Sequence, residues 1–111
     1  MIETGEWANE VRLVGRVSGS GQERELPSGD EVVSLRIVVP RTGRAPRKSA
    51  ASVDTIDVAC WTTRVRRTAR GLADGDVVEV EGALRRRFFR AGSGAVSRYE
   101  VEATAVRRVR R

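Results

Sequence analysis

The chain has 111 residues, 40% of them hydrophobic, which is enough for one small domain with a modest core and leaves no room for a second. One cysteine, no histidine and no apolar run approaching the ~20 residues of a membrane span exclude a disulfide framework, a Cys–His nucleophile pair and a spanning helix. The net charge of +6 is carried almost wholly by arginine, with Lys48 the one lysine among 21 cationic residues; a planar guanidinium suits phosphates and flat rings, although GC-rich coding enriches arginine as well.

The opening "MIETGEWANEV" lacks a basic region followed by an apolar run, so a secretion signal is not expected and a reduced, cytoplasmic compartment is. Residues 1–8 read as an N-terminal extension, 9–109 as one domain and 110–111 as a basic end. The first strand is predicted in "EVRLVGRV", where Val11, Leu13 and Val17 share one parity and Arg12 and Arg16 the other. "ELPSGDE" is a turn. A second strand, "EVVSLRIVVP", sets Val33, Leu35, Ile37 and Val39 against Ser34 and Arg36. "RTGRAPRKSAAS", from Arg41 to Ser52, has no apolar periodicity and reads as a long basic loop carrying Arg41, Arg44, Arg47 and Lys48.

The third strand is "DTIDVACW", with Ile56, Val58 and Cys60 on one face and Thr55, Asp57, Ala59 and Trp61 on the other. "TTRVRRTARGL" is the only helical segment: Thr62 or Thr63 caps its start, Val65, Ala69 and Leu72 form a short stripe, and Gly71 ends it. Its arginines, Arg64, Arg66, Arg67 and Arg70, fit a solvated helix face. A long fourth strand, "ADGDVVEVEGALRRRFF", opens at an Asp-Gly turn, "RAGSGAV" is a hairpin loop, and "SRYEVEATAVRRV" closes the chain. Five strands with one short helix between the third and fourth is the plan of an all-β OB-fold barrel.

Both phenylalanines of the chain follow three arginines, Arg85 to Arg87. If the parity of Val78, Val80 and Leu84 faces the interior, Phe88 joins the core and Phe89 lies outside among arginines. The alternative buries both through a bulge at Gly82. Trp61 is likewise off its strand's apolar parity, as an exposed platform or as packing beneath the helix. Exposed rings beside arginines suit single-stranded nucleic acid, because every base has a π-face to stack while the cations hold phosphates. Cys60 reads as core, the carboxylates of Glu79, Glu81, Glu100 and Glu102 alternate as solvated faces or arginine partners do, and neither "GSG" opens a helix. No metal site, cofactor motif or acid–base pair assembles, so the chain is not expected to be an enzyme.

"NEVRLVGRV", "LPSGDEVVSLRIVV", "DTIDVACW" and "GDVVEVEGALRRR" resemble, in order and spacing, the bacterial single-stranded DNA-binding protein family. The resemblance implies a non-catalytic OB domain that binds single strands without sequence preference in replication, repair and recombination, and that assembles as a homo-oligomer, tetramer or dimer. Trp61 and Phe89 match the family's stacking aromatics. The expected phosphate contacts are Arg12, Arg16, Arg41, Arg44, Arg47, Lys48, Arg85 and Arg87. Thr55 stands where the family often has an aromatic, and the family's acidic tail is not seen, which implies no hub role. Two other readings stay open: a primosomal-type module that binds a replication protein, and an RNA-binding OB domain. No membrane and no small-molecule substrate is expected.

Overall fold

The computed structural model describes residues 6–42 and 52–110. It contains β1 (Val11–Val17), β2 (Gln22–Glu25), β3 (Glu31–Pro40), β4 (Val53–Cys60), α1 (Thr63–Arg70), β5 (Val77–Ala91) and β6 (Gly94–Arg110). Five of the strands close into a ring in the order β1-β5-β6-β4-β3 and back to β1. That ring, with its helix between β4 and β5, is the expected OB barrel. β2 is an addition: "QERE" has no apolar residue to reveal it, and it is held by its antiparallel ladder with β3.

Closure is tight at two glycines. A Cβ on Gly15 would lie 2.4 Å from the Val38 carbonyl oxygen, where β1 meets β3. One on Gly82 would lie 2.0 Å from the Glu102 carbonyl oxygen. At Gly82 the β5–β6 ladder also shifts register, the bulge that the sequence allowed there. The β1–β5 pairing ends at the same residue. Beyond it, the Asn9 side chain takes over the role of a strand partner: its amide donates to the Leu84 carbonyl and accepts from the Leu84 N–H, both at 2.8 Å.

The interior is aliphatic. Val17, Val33, Leu35, Ile37, Val58, Val78, Val80 and Val101 fill it with Cys60, whose burial pushes its thiol pKa up to about 12 and leaves no thiolate at neutral pH. α1 adds Val65 and Ala69 to this core and is followed by Leu72. The Thr62 side chain caps the helix by accepting from the Val65 N–H, and Gly71 ends it. Arg66 and Arg70 are not a free solvated face, because they pair with Glu31 and Glu23 and bind the helix to the β2–β3 hairpin.

All five aromatic residues lie among the described positions, and none of them is in the core. Phe88 corrects the parity reading: it is 70% exposed although it shares the inward parity. β5 and β6 run on as a hairpin past the last pairing of β1, at Gly82, and of β4, at Val101 and Glu102. No strand covers the hairpin's inward face beyond that level, so the alternation continues without burial.

Candidate nucleic-acid interface

An open groove of about 450 Å³ lies where the β3–β4 surface meets the β5–β6 hairpin. Its apolar floor comes from Leu26, Val32 and Ala59, its rings are Trp61, Phe88 and Phe89, and its cations are Arg24, Arg87 and Arg98. The cross-strand register explains the meeting of these groups. Arg85, Arg87 and Phe89 oppose Glu100, Arg98 and Val96, so all six project from one side of the hairpin. Trp61 reaches that side from the end of β4, since Ala59 is level with Glu102.

Trp61 is half-buried, a position between its two sequence readings. The Arg66 guanidinium donates to the Trp61 backbone carbonyl, which fixes the ring's root from the helix. The indole N–H is buried with no hydrogen-bond partner among the described residues, as is Nε of Arg66. On the groove side the Arg87 guanidinium lies over the indole, 4.8 Å from its centroid. The buried carboxylate of Glu100 accepts a charge-assisted hydrogen bond from that same guanidinium. Arg98 lies 5.6 Å over Phe89 in a similar contact, each such contact contributing about 0.5–1 kcal/mol at an exposed site. With the Arg86 guanidinium 5.0 Å from the centroid of Phe88, all three rings in the groove therefore carry a guanidinium already.

The expected cations divide by what faces them. Arg87 is committed to Glu100, and Arg85 pairs with Glu102 at 2.7 Å. Arg12 lies on the outer face of β1, away from the groove lining, in a network in which Arg12 and Arg107 both bind Glu79. Arg12 first, and Arg107 with it, hold the Glu79 carboxyl below the usual carboxylate range, against a smaller opposing effect of desolvation. Arg16 is exposed on β1, opposite Val77 and Val38, and also lies off the groove. Arg41 pairs with Asp54 at 2.9 Å, at the far end of the β3–β4 ladder. Seven residue steps of that ladder, about 23 Å of strand, separate Pro40 from Val33 beside Trp61. Arg44, Arg47 and Lys48 lie outside the described residues.

Between these two ends runs a continuous outer face: Ser34 beside Ala59, Arg36 beside Asp57, Val38 beside Thr55. A second depression, of about 390 Å³, shares Ser34 with the groove and carries it on toward Ser18–Ser20 and Arg36. Arg36 meets Asp57 only at 3.5 Å, and both are solvent-facing, so that pair holds the arginine weakly. Arg24 and Arg98 were missed in the sequence. Arg24 sits in the strand that lacked an apolar signal, and Arg98 becomes a groove residue only through its register opposite Arg87.

The sequence matches the model of the single-strand binding protein family over residues 8–109. Among solved structures it is similar to "Plasmodium falciparum SSB complex with ssDNA", at 19% identity and a TM-score of 0.77, covering 98% of this chain and 99% of that one. No curated protein matches the sequence.

Proposed function

This chain belongs to the single-strand binding protein family, and from that premise we propose that it binds single-stranded DNA without sequence preference, through the groove between the β3–β4 surface and the β5–β6 hairpin. The family's activity is binding and not catalysis. The observation that carries the assignment to this groove is the distribution of rings. Aromatic side chains are the largest apolar groups available to a core, yet all five are kept out of it and three of them line one cationic groove.

In this reading Trp61 and Phe89 are the stacking platforms, each contributing roughly 1–3 kcal/mol per base. Arg87 is fixed between Glu100 and the indole, so its planar face acts as part of the Trp61 platform, since bases stack on guanidinium planes as well as on rings. Phosphate contact falls first to cations with no carboxylate partner among the described residues, Arg24 and Arg98, and then to the weakly held Arg36. Arg85 and Arg41 contribute as far as their ion pairs loosen. Arg12 and Arg16 do not line the groove; Arg16 stands opposite Val38, at the margin of the outer face that leads away from it. We place the protein in the cytoplasm as a homo-oligomer, a reading supported by the family and by a lone cysteine that needs no oxidising compartment. Among the described residues no helix is long and apolar enough to cross a membrane.

The test is the anisotropy of labelled oligo-dT titrated with wild type and Trp61→Ala at two salt concentrations. Wild type should bind with a salt slope of about −0.7 per phosphate neutralised. Trp61→Ala should bind about 5- to 150-fold more weakly, with its thermal midpoint nearly unchanged. Equal affinity of the two proteins would remove Trp61, and the groove with it, from the binding site.

A further inference from the structure

The β5–β6 hairpin has a second face, of which the groove uses only Phe88. Leu84, Arg86, Phe88 and Arg90 on β5 are level with Val101, Tyr99, Ser97 and Ala95 on β6, so they project opposite to Arg87 and Phe89. Val101 is the last residue of this row to be buried. Leu84, level with it, is already 46% exposed, and Tyr99, the next outward, is 59% exposed. The Arg86 guanidinium lies between two rings, 5.0 Å from the centroid of Phe88 and 5.6 Å from that of Tyr99, and also donates to the Ser97 hydroxyl.

We propose that this face is a second stacking surface for the same single strand, with Tyr99 as its ring and Arg86 and Arg90 as its phosphate contacts. The inference rests on the groove's function as proposed above and extends it around the hairpin. Two observations select the occupant. The first is continuity: Phe88 belongs to the Arg86–Tyr99 row by register and also lines the groove, so a strand leaving the groove across Phe88 arrives on this face. The second is charge. On the groove side Arg85 and Arg87 face Glu102 and Glu100, whereas among the described residues no carboxylate pairs with Arg86 or Arg90. A face of rings with unneutralised cations suits a polyanion that carries its own stacking planes. A second copy docked on the same face would set these arginines against their own equivalents, a like-charge arrangement.

The experiment is photo-crosslinking of the full chain to iodouracil-substituted oligo-dT, with adducts mapped by peptide mass spectrometry, alongside affinities of Tyr99→Ser and Arg86→Gln. Both side chains are solvent-facing, so neither change threatens the fold. The expected result is adducts at Trp61 or Phe89 and also at Tyr99. Tyr99→Ser should bind about fivefold or more weakly, and Arg86→Gln should show a salt slope shallower by about 0.7. Adducts confined to Trp61 and Phe89, with Tyr99→Ser binding as wild type, would overturn this proposal and leave the groove intact. A Tyr99→Ser protein that binds normally but sediments as a smaller species would overturn it in favour of self-association. Absence of adducts and of binding by wild type would defeat the groove's function and this extension together.

Discussion

From Val77 to Gly82, β5 lies between β1 and β6, and its inward residues Val78 and Val80 are sealed from solvent. From Leu84 to Arg90 the same strand keeps the same alternation, but its inward residues stand in water. The two halves differ in coverage and, with it, in chemistry. The covered half is aliphatic and the uncovered half holds Phe88 and Phe89 among arginines. Alternation decides which way a side chain points, while burial depends on where the neighbouring strands stop. A single strand can thus be structural at one end and present a binding surface at the other.

The sharpest way to break this comparison is a matched pair of truncations. Ile37→Ala should remove about 2–5 kcal/mol of stability by opening a cavity in the barrel, whereas Phe88→Ala should change stability by no more than ~0.5 kcal/mol. Denaturant unfolding of the two variants would show it, and a large loss in Phe88→Ala would mean that the hairpin's rings hold the fold after all. The boundary between the halves is more subtle. Asn9→Ala removes two hydrogen bonds at Leu84 and should cost about 1–2 kcal/mol locally. Hydrogen exchange at the Leu84 amide should speed up while exchange at Val80 stays slow. The smallest effect belongs to the barrel's outer face. Glu79 has its pKa lowered by Arg12 and Arg107, so its contribution is present above its unfolded pKa and lost as pH falls through the folded value. The thermal midpoint of wild type should therefore decline more steeply on acidification than that of Glu79→Gln.

Much of this was legible in the sequence because it is local. The strands that line the barrel announce themselves by alternation, the helix by Thr62 and Gly71, and the bulge by Gly82. Trp61 and Phe89 were singled out by being off their strands' apolar parity, and the structure places both in one groove. What stayed hidden depends on partners distant in the chain. Phe88 appeared to be core because nothing in its own strand records where β1 and β4 end. β2 has no apolar pattern, since its pairing with β3 runs through the backbone. The arginines look alike in sequence, and only the cross-strand register shows that Arg85 and Arg87 meet carboxylates while Arg86 does not.

The exclusion of every ring from the core also has an optical consequence. Tryptophan, tyrosine and phenylalanine are the side chains that absorb in the near ultraviolet, and here all of them stand at or near the surface. The packed interior, made of valine, leucine, isoleucine and alanine with one protonated thiol, is dark in that range. Near-ultraviolet circular dichroism of the free protein should therefore come mainly from Trp61, which Arg66 and Arg87 hold, and should gain further bands when the exposed rings are fixed by a ligand, so that the spectrum reads the surface and says little about the integrity of the barrel beneath it.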